Sequence, residues 1–165
     1  MRIPDACMRC GNCCTRFGVC VTPSDVRRLS EAMGKPPLSF VSLLPEPPRR
    51  ERREPAIIID GKRSLLVLKR DARNVCCFYS ANGCLVYGSR PMLCRTYPFR
   101  LERGKLAGMG SRTCPMDWVP KERKKYLDDF GAYEKELETY ARLAGEWNRN
   151  GGGSLKRFLD MVMLK

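Results

Sequence analysis

Histidine is absent from the 165 residues, and so is glutamine. The first absence excludes mixed Cys/His zinc fingers, His-ligated iron and every mechanism that uses imidazole as a base. A transition metal held by this chain must therefore be held by sulfur, with a carboxylate or an exogenous ligand as the only supplement. Without that base no constellation of serine, cysteine or carboxylate recommends itself as catalytic, so no catalytic residue is assigned and enzymatic activity stays open. An apolar run of the roughly 20 residues needed to cross a bilayer is missing. The opening residues, Met1 to Asp5, carry no apolar signal-peptide core, and the expectation is a soluble, cytoplasmic protein without a transmembrane segment. Acid is scarce: 18 Asp and Glu stand against 31 Lys and Arg, a net charge of +13 with a pI near 9.5. Such a surface attracts polyanions, so the expected partners are RNA, a ribonucleoprotein such as the ribosome, or an acidic protein. The missing glutamine beside abundant Arg, Lys and Glu lends a mild thermophile colouring.

What the chain has in quantity is cysteine, ten in all, and they are unevenly placed. Cys7-Met8-Arg9-Cys10-Gly11-Asn12-Cys13-Cys14 packs four sulfurs into one or two turns of backbone. In a C-x2-C-x2-C run the two intervening residues curl the chain enough to aim successive thiolates at one point, with Gly11 supplying the flexibility. A second group follows at Cys76, Cys77, Cys84, Cys94 and Cys114, and no thiol lies between Cys20 and Cys76 or after Cys114. Reducing cytosol disfavours structural disulfides, so clustered thiols there read as metal ligands.

The chain length fits one domain, so the two cysteine groups are expected to meet across a single core. The expected fold class is α+β, a small cysteine- and metal-stapled domain with short β-hairpins and a helical C-terminal arm. Its organisation is a cysteine-cluster domain over 1–119 and a helical extension over 120–165 that packs on it. Thr22 can cap a helix whose first turn takes Pro23 and Asp25, with Val26, Leu29 and Met33 on its apolar face and Gly34 at its end. Leu38 to Leu44 reads as a second short helix. Pro45 to Pro55 is a proline-bounded charge run, hence a loop. Ala56 to Ile59 and Ser64 to Leu68 flank the turn signal Asp60-Gly61-Lys62-Arg63 and predict a hairpin. A second hairpin is expected to join Cys76–Tyr79 to Cys84–Tyr87 through Ser80-Ala81-Asn82-Gly83, setting Cys76 near Cys84. Ser89-Arg90-Pro91 starts a short helix carrying Cys94, and Phe99 to Leu106 predicts a third hairpin turning at Arg103-Gly104. From Pro120 to about Asn148 a long helix carries the stripe Tyr126, Phe130, Tyr133, Leu137, Tyr140, Ala144 and Trp147. Gly151-Gly152-Gly153 breaks it, and Ser154 caps a last helix with Leu155, Phe158, Leu159 and Val162 inward.

A structural zinc site normally arrives as two C-x2-C knuckles, and the second group here has none, being spaced by 8, 10 and 20 residues instead. A triple run with a remote cysteine followed by proline, as in Cys114-Pro115, is closer in form to a four-iron cluster pattern. Irregular four-cysteine zinc sites keep zinc open as the alternative cofactor. Cys20 and Cys77 read as spares. The first stands apart from the run, and the second points away from Cys76 if that segment is extended. Adjacent Cys13 and Cys14 strain to face one metal together, which suggests a second site or redox chemistry for one of them.

The ordered motifs resemble a known family. Cys7-x2-Cys10-Gly-Asn-Cys13-Cys14, Thr22-Pro-Ser-Asp25-Val-Arg-Arg-Leu29, Cys76-x-Phe78-Tyr79, Asn82-Gly-Cys84-Leu-Val-Tyr87 and Arg90-Pro91-x2-Cys94-Arg95-x-Tyr97-Pro98-Phe99 are similar to the YkgJ-type cysteine-cluster family of zinc- or iron-chelating domains. The likeness runs from about Cys7 to Cys114. It implies metal chelation by Cys7, Cys10, Cys13, Cys14, Cys76, Cys84, Cys94 and Cys114. The same module occurs in proteins similar to flagellin lysine N-methylases, where an iron-sulfur cluster accompanies methyl transfer, although no S-adenosylmethionine fingerprint is evident in this shorter chain. Tyr87, Arg90 and Arg95 lie within the matching motifs and would stabilise anionic thiolates, or else are ordinary surface residues of a short helix.

Two classes of function follow. In the first the chain is a metal-binding protein, its iron-sulfur cluster or zinc held through the clustered cysteines and used in redox or methyl-transfer chemistry. In the second the metal only staples a basic binding protein that grips RNA or a ribonucleoprotein through Arg49, Arg50, Arg52 and Arg53 with Lys121, Arg123, Lys124 and Lys125, joined by Lys69 and Arg70.

Overall fold

Ser64 to Leu68 are five consecutive buried residues, a run that makes sense only for a strand covered on both faces. A computed structural model of the chain describes residues 7, 9–48, 53–108, 113–114 and 122–164. In it Lys62–Leu68 forms β3, the centre of a three-stranded antiparallel sheet between β1 (Val41–Pro45) and β2 (Ile57–Ile59). Ile59 pairs with Lys62 across the two-residue turn Asp60-Gly61, both in the left-handed region, which is the type I′ geometry whose twist suits a hairpin. The turn is thus two residues shorter than the four-residue signal predicted. Leu66 and Leu68 face the main core, while Leu65 and Val67 face a smaller cluster with Cys20 and Ala56.

The expected helix over Leu38 to Leu44 is not one. A single 3-10 turn, Pro37–Ser39, leads into β1, whose residues pair with β3 from Val41 opposite Leu68 to Pro45 opposite Ser64. The reason is tertiary: the second edge of a fully buried β3 needs hydrogen-bond partners, and this demand overrides the local helical pattern.

The remaining elements follow the sequence closely. Helix α1 (Asn12–Arg16) carries the adjacent cysteine pair, and α2 (Pro23–Met33) opens with a reciprocal capping box, Thr22 Oγ1 accepting from Asp25 N and Asp25 Oδ2 from Thr22 N, both at 3.0 Å. Two small hairpins follow, β4 (Tyr79–Ser80) with β5 (Gly83–Cys84) and, after the helix α3 (Met92–Thr96), β6 (Phe99–Glu102) with β7 (Lys105–Gly108). Cys76 lies ahead of β4 rather than inside the predicted strand.

Helix α4 (Arg123–Arg149) buries Phe130, Tyr133, Leu137, Tyr140, Ala144 and Trp147, the predicted stripe with Tyr126 half-exposed at its start. Its end is tied to β2: Trp147 Nε1 donates to Ile58 O at 2.8 Å, and Asn148 both accepts from Ile58 N and donates to Ala56 O. The glycine run does more than end the helix. A Cβ on Gly152 would lie 2.8 and 2.9 Å from Ile58 Cγ2 and Cβ and closer still to its carbonyl, at φ +74, so only glycine permits this approach. Beyond it α5 (Leu155–Leu164) folds back, burying Phe158, Leu159 and Val162, with Phe158 edge-on to Trp147 at 5.1 Å. Tyr140, Ala144, Trp147, Phe158, Leu159 and Val162 share one core with Val21, Val26, Leu29, Ile57 and Leu66. Each such fully buried side chain contributes about 1.5–3 kcal/mol. No helix among the described residues is long and apolar enough to cross a membrane.

Candidate metal centre

At the edge of that core lies a cavity of about 410 Å³ walled by α1, the β4–β5 hairpin and α3. Cys7, Cys10, Cys13, Cys14, Cys76, Cys84, Cys94 and Cys114 all line it. These are the eight thiols the sequence marks as ligands. The two marked as spares are elsewhere: Cys20 is buried beside Ala56, Leu65 and Val67, and Cys77 is exposed, its Sγ 3.9 Å from Phe40 O. All ten are free thiols.

Backbone contacts bring the distant cysteines together. Cys76 N donates to Cys14 O at 2.9 Å, which joins the segment before β4 to α1. Gly11 precedes α1 at φ +79, against the Tyr79 ring, so the C-x2-C-x2-C run is seated on the hairpin that carries Cys84. Cys94 is brought in from the far side by Asp25, a residue that sequence reasoning credits only with favouring a helix start. Asp25 is 1% exposed, and its Oδ1 accepts the Met92 N–H at 2.9 Å, pinning the first turn of α3 to α2. Arg28 bonds the same carboxylate and reaches Glu136 of α4 at 2.6 Å, while Glu136 accepts from Thr22 Oγ1. The capping-box pattern shows that Asp25 turns inward, but its long-range partner is set by the fold.

Cys13 and Cys14 sulfurs are 3.9 Å apart. Two thiolates bound to one tetrahedral metal at about 2.3 Å stand about 3.8 Å apart, so the adjacent pair can serve one ion after all. The hydrogen bond from Cys14 brings the Cys13 thiol down to about 6, against a smaller upward push from burial; its partner Cys14 is driven up by the same hydrogen bond and by burial. A hydrogen bond from Cys77, aided by the Arg70 charge, lowers Cys76 to about 7 although burial opposes it. Burial raises Cys84 and, more strongly, Cys94. Cys13 and Cys76, the first members of the adjacent pairs Cys13-Cys14 and Cys76-Cys77, are thus the thiols lowered toward the thiolate. Among the described residues no three Cys, Asp or Glu side chains converge as a ready-made site for one ion.

The walls between the thiols are apolar, with Val19, Leu68, Phe78, Val86 and Leu93, and with Phe17 edge-on to Tyr97 at 5.4 Å. Arg9 and Arg90 also line the cavity, each stacked on Tyr87. Arg95 does not. Its guanidinium donates to Arg90 O and Gly88 O, both at 2.9 Å, so it braces the turn before α3.

The basic residues offered for nucleic acid are scattered. Arg49, Arg50, Arg52 and Lys121 lie outside the described residues. Arg53 is ion-paired with Glu134 at 2.8 Å and Lys124 with Asp128 at 2.7 Å, while Arg123 and Lys125 are exposed in the first turn of α4. Lys69 donates to Leu38 O, and Arg70 to Phe17 O and Asn74.

Comparison with curated proteins and with solved structures gives no significant match. A family model named CxxCxxCC, described as "Putative zinc- or iron-chelating domain", matches residues 6–115, a span that starts just before Cys7 and ends just after Cys114. With that match over most of its length, and with sulfur as its main donor set, the chain belongs to this family of zinc- or iron-chelating cysteine-cluster domains.

Proposed function

We propose that the chain is a metal-binding protein whose eight cavity cysteines hold an iron-sulfur cluster. The observation that carries this reading is the sorting of the thiols: eight on one cavity, two outside it. Thiolate donors without imidazole select zinc or iron-sulfur clusters over the harder metals. Between those two, the size of the cavity favours a cluster. A tetrahedral ion at about 2.3 Å from its sulfurs fills the space between them, whereas about 410 Å³ would take roughly a dozen waters at about 30 Å³ each. The cavity thus suits a polynuclear centre.

When bound, such a centre supplies one-electron chemistry at a potential set by its surroundings. The chain's own part is to set those surroundings. Phe17, Val19, Leu68, Phe78 and Val86 keep the wall apolar, and Arg9 and Arg90 place positive charge beside the thiolates, which favours the more negative state. The test is anaerobic purification followed by metal analysis, acid-labile sulfide and a visible spectrum. Iron with matching sulfide and a broad absorption that bleaches on reduction is the expected result. Zinc without sulfide or colour overturns the cluster and leaves a structural or metal-handling thiolate site.

A further inference from the structure

At the mouth of the cysteine cavity two arginines share one tyrosine ring. The Arg9 guanidinium carbon is 3.9 Å from the centroid of the Tyr87 ring and that of Arg90 is 3.7 Å from it. Two planar groups cannot share one face of a ring at that range, so the tyrosine is sandwiched between two cations. Like charges held on either side of one ring repel, and the quadrupole of the ring offsets only part of that cost.

Several other arginines of the molecule are neutralised. Arg28, Arg53, Arg63, Arg73 and Arg100 each have a carboxylate partner. At the cavity no Asp or Glu occurs among the described lining residues. Arg90 donates Nε to Tyr87 O at 2.9 Å, and its terminal nitrogens have no acceptor among the described residues. Arg9 is exposed, and none of its donors has a protein acceptor among the described residues. The aliphatic stem of Arg9 lies beside Gly83, which fixes the guanidinium at the rim instead of letting it sweep through solvent. Two oriented forks of N–H donors, fixed by one aromatic ring and open toward solvent on the Arg9 side, match the oxygens of a carboxylate or phosphate-type anion.

We propose that Arg9, Tyr87 and Arg90 form a binding site for a small oxyanion or carboxylate-bearing molecule at the mouth of the thiol cavity. Arg9 captures the anion from solvent and Arg90 holds it on the cavity side, next to Cys84 and Cys94. The use of the bound anion beside a metal rests on the reading of the cavity as a metal centre; the anion site itself does not.

The test is calorimetric titration of the full-length, as-purified protein at low ionic strength with inorganic phosphate and, separately, with citrate, its metal and sulfide content being assayed on the same sample. Saturable binding of at least one of them is expected, weakened about tenfold or more by Arg90→Gln and by Arg9→Ala, since each removes a charge-assisted contact. Arg90→Lys, which keeps the charge but loses the fork, is expected to bind more weakly than wild type. Lys156→Ala, which removes one positive charge far along the chain in α5, controls for attraction to the net charge and is expected to bind as wild type does. Absence of saturable binding, or equal weakening by Lys156→Ala, overturns the proposal. A wild-type sample that carries neither metal nor sulfide counts against the metal reading alone, and its phosphate titration still decides the anion site.

Discussion

Gly11 is the position where a single methyl group tests the architecture of the cavity most directly. It lies between Cys10 and Cys13 at φ +79, and a Cβ built there would stand 2.6 Å from Tyr79 Cε2 and closer still to Cζ and Oη. Two costs separate cleanly. Forcing an L-residue into the left-handed region costs about 1 kcal/mol, and displacing the ring, or the backbone that carries the thiols, adds the about 1–3 kcal/mol typical of overpacking. Gly34 provides the reference: it ends α2 at φ +60 with nothing within 4 Å of its would-be Cβ. Gly34→Ala should therefore lose only the backbone part, about 1 kcal/mol, and Gly11→Ala about 3 kcal/mol. Denaturant unfolding of both variants measures the difference. Adding Tyr79→Ala completes a double-mutant cycle in which the steric part of the Gly11→Ala penalty vanishes and the backbone part stays. Equal losses for the two alanines, or a Gly11→Ala penalty unchanged by Tyr79→Ala, would refute the placement of the cysteine run on the hairpin.

Four further outcomes follow from the same geometry. Cys20→Ala and Cys77→Ser should keep the wild-type metal content, whereas Cys13→Ser, Cys76→Ser or Cys94→Ser should lower it; metal analysis of the five purified variants distinguishes the two sets. Burial raises Asp25 from 3.8 to about 6, against the Thr22 N–H and the Arg28 charge. A carboxyl raised in the folded state stabilises it when protonated, so the stability of wild type relative to Asp25→Asn should rise by up to about 3 kcal/mol as the pH falls from about 7 to 4, and a flat or falling difference refutes the assignment. Asn148→Ala strands the Ile58 N–H and the Ala56 carbonyl and should cost about 2–3 kcal/mol in denaturant unfolding, while Asn150→Ala, an exposed neighbour, should cost under about 0.5 kcal/mol. Stripping the metal with a chelator under reducing conditions should leave the far-ultraviolet circular dichroism and a cooperative thermal transition in place; collapse of both on chelation contradicts a core that stands without metal.

The thiol set was legible because chemistry, not packing, fixes it. Setting Cys77 apart from Cys76 rested on an extended run, whereas Cys76 lies ahead of β4 and Cys77 in a turn, so the structure separates these two thiols for a different reason. The hairpin turns at Asp60-Gly61 and Arg103-Gly104 and the caps at Thr22 and Gly34 were legible for a related reason, each being a local signal with a local cause. What escaped was non-local. Leu38 to Leu44 pairs as strand because β3 has a second edge to satisfy, and no window of sequence contains that demand. Asp25 reads as a helix cap and is one, but its bond to Met92, 67 residues away, makes it the strut that positions the Cys94 helix. Tyr87 and Arg90 are neighbours in sequence, but the stack brings in Arg9, which is too far away for a spacing rule to pair with them.

The way the cavity is assembled bears on what the metal can be for. In a zinc finger the ligands are brought together by the ion, and its binding free energy is the folding free energy. Here the segments are joined by protein contacts first: Cys76 N on Cys14 O, Gly11 against Tyr79, Met92 N on Asp25. The core behind them runs through α2, the three-stranded sheet, α4 and α5, and forms one wall of the cavity through Val19, Leu68, Phe78 and Val86 beside Cys14, Cys76, Cys84 and Cys94. A scaffold of that kind is expected to fold without the metal, which is the outcome the chelation experiment checks. Cys13 and Cys76 are the thiols lowered toward the thiolate, while burial raises Cys84 and Cys94, so metal binding by the raised pair would have to release protons.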